Sequence, residues 1–246
     1  MTTIPMTSPL VAPLGVDRPL EIPPPATVHP LRLRKVLRLL RAIRHSEDPV
    51  QAGLELFDAV GGLGGEHTFQ RFSQRPEGRR LLRTRPDLVG LLGDREALAA
   101  MPEGSLGRAY LAFAEVNGFA ADGLVEKNRA FEREEPSSDV HRQWFWDRFT
   151  MAHDLWHVLT GCDTSEAGEV QLLAFSHAQT PQRGYLILLG LAALGHAGKL
   201  THLRRQWTCW RAGRRAHDLV SAPWENFLAW PLEEVRRCYR VEVLAR

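Results

Sequence analysis

The chain has 246 residues, a formal net charge of +2, and 44% hydrophobic against 24% charged residues. That length and balance suit one large globular domain with a substantial core, and the near-neutral charge excludes a globally basic nucleic-acid binder. Its cysteines, Cys162, Cys209 and Cys238, stand far apart in no C-x-x-C spacing, so neither a disulfide framework nor a thiolate zinc site is indicated, and a reducing compartment fits best.

Residues 1–30 hold half of the sixteen prolines, which predicts a flexible tail there and a single domain over 31–246. This leader lacks the basic start and apolar run of a secretory signal, and it lacks the repeated arginines of a mitochondrial presequence. From Leu31, "LRLRKVLRLLRAIRHS" predicts a basic amphipathic helix, with Leu33, Val36, Leu37, Leu40 and Ile43 on one stripe and Arg34, Lys35, Arg38 and Arg41 around the rest. A second helix, around Pro49 to Val60, ends at "GGLGG". This is read as a hinge or loop, because no strand precedes it and the lysine of a phosphate-binding loop is missing.

Short helices follow, punctuated by Pro76, Pro86 and Pro102, and then a longer one in "SLGRAYLAFAEVNGF" with Leu106, Tyr110, Phe113 and Ala114 on one face. The cluster Ser137-Ser138-Asp139 starts a central helix that runs to about Thr160 and stops at Gly161. Another helix runs from near Ser165 to before Pro181. "YLILLGLAALGHAGK" comes next, with an apolar run too short to span a bilayer, and the last third is mostly helical. No convincing period-two segment or internal repeat occurs, so the fold class is all-α with eight to ten helices.

The central helix carries the chemistry. In "MAHDLWHVLTGCDTSEAGEV", His153, Asp154 and His157 fall within an arc of about 100° on one side of a helix. Imidazoles at i and i+4 can grip one cation. Glu169 lies past the turn in the first turn of the next helix, where an antiparallel pair returns it over the histidines. Two nitrogen and up to two oxygen donors suit zinc, and equally iron or manganese with open positions. The competing reading is two buried rings bonded to carbonyls, with Asp154 capping or paired with Arg148 and Glu169 serving the helix dipole. Aspartate after the first histidine departs from H-E-x-x-H and disfavours peptide hydrolysis with a glutamate base. Arg148, near the same face, is a candidate for holding an anionic substrate group or orienting Asp154.

These residues form H-D-x-x-H, eleven residues, then E, and the chain resembles the coenzyme Q biosynthesis protein 4 family of ubiquinone synthesis. "RPEGRRLLRTRP", "MPEGSLGRAYLAF", "WDRFTMAHDLWHVLTG", Gly168-Glu169 and "WENFLAWPLEEVR" look like family blocks in family order. The resemblance implies an all-helical fold and a divalent metal, usually zinc with Fe2+ or Mn2+ as alternatives, at His153, Asp154, His157 and Glu169. It implies removal of the C1 carboxylate from a polyprenyl hydroxybenzoate, coupled to hydroxylation at that carbon, with Glu169 and then Asp154 as the candidate catalytic carboxylates acting through the metal. The partners it implies are an isoprenoid lipid substrate, other ubiquinone-biosynthesis proteins and a membrane surface, with a homodimer as an option and no nucleic acid. With no presequence seen, the expected location is peripheral, on the cytoplasmic side of a bacterial-type inner membrane. A non-catalytic lipid-binding scaffold is the alternative function. A metal phosphohydrolase is a third reading, but it lacks the further His and Asp ligands it would need.

Overall fold

A computed structural model describes residues 21–22, 24–25, 32–42, 55, 59, 63–118, 139–195 and 200–244. They form α1 (Leu33–Ala42), α2 (Leu63–Gln74), α3 (Pro76–Thr84), α4 (Leu88–Gly93), α5 (Arg95–Ala99), α6 (Leu106–Asn117), α7 (Val140–Thr160), α8 (Glu166–Gln179), α9 (Arg183–Gly195), α10 (Leu200–Arg215), a 3-10 turn at Trp224–Asn226 and α11 (Leu232–Tyr239). The fold is all-α, with no strand among the described residues. The described residues alone hold eleven α-helices, more than the expected eight to ten, because the punctuated stretch splits finely. Asp94 ends α4 and also caps α5, accepting from the Ala97 amide.

Local signals set most boundaries. Ser105, Asp139 and Ser165 accept hydrogen bonds from the first-turn amides of α6, α7 and α8. "GGLGG" departs from the loop reading, because α2 begins at Leu63 within it. Gly65 lets the Trp146 indole lie against the α2 backbone, since an added Cβ would sit 3.0 Å from its ring. The expected helix at Pro49 to Val60 and the tail at 1–20 lie outside the described residues, apart from helical Glu55 and Ala59. Within the expected tail, Ile22 packs on the core and the Pro24 carbonyl accepts from Arg142.

The long helix α7 runs through the core. Phe145, Met151, Leu155, Trp156 and Leu159 are buried along it, and Phe145 meets Phe69, Phe72, Trp146 and Phe149 in edge, tilted or stacked ring contacts. Such contacts contribute about 0.5–1.5 kcal/mol each beyond area burial. Arg142 ties α7 to α2 through Glu66 and to its own N-cap through Asp139.

On the other side, α8 and α10 pack closely at Gly213, where a Cβ would lie 2.4 Å from the Phe175 carbonyl oxygen. Gln179 staples this layer by donating to the Gly213 carbonyl and accepting from the Leu219 amide. Gln179→Ala is expected to cost about 1–3 kcal/mol by leaving those backbone groups unpaired; a denaturation midpoint equal to wild type would contradict the staple.

"WENFLAWPLEEVR" serves packing. Leu228 and Trp230 carbonyls accept from the Gly107 and Leu106 amides at the start of α6. Arg236 of α11 donates to the Val158 and Leu159 carbonyls, satisfying the C-terminal end of α7.

Candidate metal centre

The site is built where α7 stops and α8 starts. Gly161, at φ +73°, takes the left-handed conformation that ends α7, and its amide donates to the His157 carbonyl. The turn then packs directly on the first turn of α8: a Cβ on Gly168 would lie 2.2 Å from the Asp163 carbonyl oxygen. Glu169 is thereby carried back over α7. Gly168→Ala must push the turn away and is expected to weaken divalent-metal binding about tenfold or more; unchanged affinity by competition titration would show that this contact does not set the site.

His153, His157 and Glu169 each present one donor atom, and the three lie within 4.8 Å of one another. Nε2 of His157 is 3.3 Å from Glu169 Oε1. A tetrahedral ion with bonds of about 2.0–2.2 Å needs donors roughly 3.5 Å apart, so modest closure completes a common grip. His157 is oriented for it. Its Nδ1 lies 3.0 Å from the Cys162 carbonyl oxygen, which can only accept, so Nδ1 carries a proton and Nε2 faces Glu169, donating to it when the ring is charged and offering its lone pair to a metal when the ring is neutral. Phe113 stacks on the same imidazole, with centroids 5.3 Å apart. Side-chain exposure rises from 2% at His157 through 25% at His153 to 39% at Glu169, so the cluster has a closed inner wall and an open outer one. Two imidazoles, one carboxylate and no thiolate are a donor set that fits a divalent ion.

Asp154 stands outside this three-donor group. Its Oδ1 lies 3.9 Å from His153 Nδ1, and its charge adds to burial in raising the Tyr110 phenol pKa. Arg148 is engaged elsewhere. It forms a two-pronged ion pair with Glu225 and donates to the Ala222 carbonyl, so it neither orients Asp154 nor reaches toward the donors. Sequence reasoning missed Phe113, Cys162 and Arg236, and also Asn117, whose side-chain carbonyl accepts from Thr164 in the turn. Only Gly161 hinted at any of these, by marking where a turn would bring carbonyl groups back.

Burial disfavours charge on His157, but the hydrogen bond and charge of Glu169, the Cys162 carbonyl and the Asp154 charge outweigh it and raise its pKa above 6.5. Burial likewise opposes ionised Glu169, yet the hydrogen bond from His157 and the charges of His153 and His157 hold its pKa below 4.5. In metal-free protein the His157 contribution to stability is full below pH 6.5 and is lost as pH rises through the raised value. The Glu169 contribution is present above pH 4.5 and is lost as pH falls through the lowered one. A metal must displace the His157 proton, so log affinity is expected to rise by about one per pH unit below the folded His157 pKa and to flatten above it. Competition titrations across that range test this; a flat profile would contradict it.

A sequence profile described as "Coenzyme Q (ubiquinone) biosynthesis protein Coq4" matches residues 58–245. The chain belongs to this ubiquinone-biosynthesis family. It is 30% identical over 176 residues to the mitochondrial ubiquinone biosynthesis protein COQ4 of Podospora anserina, covering 69% of this chain and 55% of that one. To the Danio rerio COQ4 homolog it is 30% identical over 198 residues, covering 76% and 69%. The chain thus spans little more than half the length of several Coq4 relatives. A crystal structure from Nostoc punctiforme PCC 73102, of a protein named for ubiquinone biosynthesis, superposes with a TM-score of 0.60 at 20% identity, covering 85% of this chain and 96% of that one, and shares the fold.

These comparisons correct the expected location. The relatives are named mitochondrial, which overturns the cytoplasmic, bacterial-type inner-membrane reading. That reading rested on residues 1–30, which lie outside the matched segment.

Proposed function

We propose that this Coq4-family chain is a metal-dependent lyase of ubiquinone biosynthesis, removing the C1 carboxylate of a polyprenyl hydroxybenzoate with hydroxylation at the same carbon. The observation that carries this reading is the cluster of His153, His157 and Glu169, open on its outer side. Three mixed nitrogen and oxygen donors resemble catalytic sites with a free position more than closed structural ones. Zinc is favoured by the family resemblance, and Fe2+ or Mn2+ suits the same donors. When bound, the ion would stabilise negative charge on a ring carboxylate or phenolic oxygen.

The chain's own groups do the rest. His157, fixed by Cys162 and Phe113, holds the inner position. Glu169, half-exposed and on a separate helix, is the better placed carboxylate to move a proton, and Asp154 sets the charge beside His153. Replacing carboxylate by hydroxyl is a net two-electron oxidation in which carbon dioxide leaves; it balances with water supplying the hydroxyl oxygen and dioxygen taking up the electron pair and two protons to leave as hydrogen peroxide. Carboxyl release from labelled substrate with each candidate ion tests the reading. Glu169→Ala should abolish both release and complementation of a strain lacking the family member, at matched protein levels. Full complementation by that variant would favour a scaffold.

A lipid-presenting scaffold on a membrane surface, recruiting other ubiquinone-biosynthesis proteins, is the second reading. It is favoured by α10, where Leu200, Leu203 and Trp207 are exposed, Trp207 stacks on Trp210, and Arg204, Arg211 and Arg214 flank them with no acidic residue in the helix. Apolar α9, whose Ile187 and Leu188 pack with Val36 and Leu39 of α1, is the surface best suited to a polyprenyl tail. No described helix is long and apolar enough to cross a membrane. Trp207→Glu with Arg211→Glu is expected to reduce flotation on anionic liposomes several-fold; unchanged flotation would remove this surface from the account.

A further inference from the structure

Helix α3 buries one side and charges the other. Gly78, Leu81 and Leu82 face inward, and α3 packs so tightly on the end of α2 that a Cβ on Gly78 would lie 1.9 Å from the Phe72 carbonyl oxygen. Arg79, Arg80 and Arg83 fall within an arc of about 100° on the opposite side, flanked by Arg75 at the N-cap and Arg85 at the C-cap, and all five are exposed. Two of these charges are answered within the chain, Arg80 by both carboxylate oxygens of Glu77 and Arg75 by Asp218. No ion pair reaches Arg79, Arg83 or Arg85 among the described residues. Arg79 and Arg83 stand four positions apart, where like charges repel each other. Two of the three guanidinium groups are nonetheless anchored. Arg79 Nε donates to the Ser73 carbonyl and Arg85 Nε to the Leu82 carbonyl, while Arg85 Nη2 lies 3.3 Å from His141 Nδ1.

We infer that this face of α3 docks an acidic segment of another protein, a helix or loop whose carboxylates stand about one helical turn apart to match Arg79 and Arg83. A guanidinium takes a carboxylate in a two-pronged grip, and one already anchored at Nε loses less freedom when it does so. Anionic lipid fits this face less well. A helix that lies in a membrane surface inserts apolar side chains, and none of the exposed large apolar residues falls between Arg75 and Pro86, whereas α10 carries Leu200, Leu203 and Trp207. The surface shares no residue with the metal centre or with α10, so it stands or falls apart from both readings of the function.

The test uses the full chain and two fluorescein-labelled peptides, one repeating Glu-Ala-Ala-Ala four times and one with Gln in place of each Glu, titrated by fluorescence anisotropy. Saturable binding of the Glu peptide is expected at low salt, weakening as salt is added, with the Gln peptide about tenfold weaker or worse. Arg79→Glu with Arg83→Glu, on exposed positions facing away from the core, should abolish binding of the Glu peptide. Trp207→Glu with Arg211→Glu should leave that binding unchanged, and the α3 variant should float on anionic liposomes to the same extent as wild type. Absence of saturable binding, equal affinity for the two peptides, or insensitivity to the α3 reversal would each overturn the proposal. So would equal loss of binding on the α10 reversal, and reduced flotation of the α3 variant would give this face to lipid instead.

Discussion

Arg148→Ala is expected to destabilise the protein by about 3–5 kcal/mol, because it strands the largely buried Glu225 carboxylate without its partner. The Ala222 carbonyl loses a donor at the same time. For a chain of this size the loss corresponds to a fall in Tm of roughly 6–20 °C. Residual folded protein should still bind one metal ion with near wild-type affinity, since Arg148 touches none of the three donors. Arg148→Ala with Glu225→Leu should recover much of the lost stability, because an apolar pair leaves no unpaired buried charge. A variant of wild-type stability with impaired substrate binding would instead restore Arg148 to the anion-holding role that its sequence position suggested.

The second large effect is linkage of metal to folding. If the three donors converge only in the folded chain, free metal at a thousandfold above its Kd should raise stability by about 4 kcal/mol, and chelation should remove that gain. His157→Ala should abolish the response, because it deletes the donor whose orientation the Cys162 carbonyl and Phe113 fix. Asp154→Asn should retain most of it, since Asp154 stands outside the donor group. Thermal or urea unfolding with and without metal measures all three proteins. A wild-type midpoint indifferent to metal would count against the site, and loss of the response in Asp154→Asn would make that residue a ligand after all.

What was legible in the sequence is what local physics controls. Caps at Ser105, Asp139 and Ser165 and the stop at Gly161 set α6, α7 and α8, and the i,i+4 histidines with Glu169 beyond the turn gave the donors that converge. What escaped depends on partners distant in the chain. Arg148 is held by Glu225, seventy-seven residues away, and no local pattern near Arg148 announces that. "GGLGG" reads as a breaker by propensity, yet Gly64 and Gly65 lie in helix because Trp146 packs on α2, so tertiary contact overrode the local preference. Asp154 shares the helical arc of the histidines, but an arc does not fix which way a side chain turns. Its adjacency in sequence therefore overstated its place in the cluster.

The central claim is that His153, His157 and Glu169 hold one divalent ion. X-ray absorption at the edge of the bound metal, on protein loaded with one equivalent, measures this most directly. The expected spectrum shows two imidazole ligands with oxygen in the remaining positions and no sulfur, and one imidazole fewer in His157→Ala. A spectrum without imidazole scattering, or one unchanged by His157→Ala, would contradict the account.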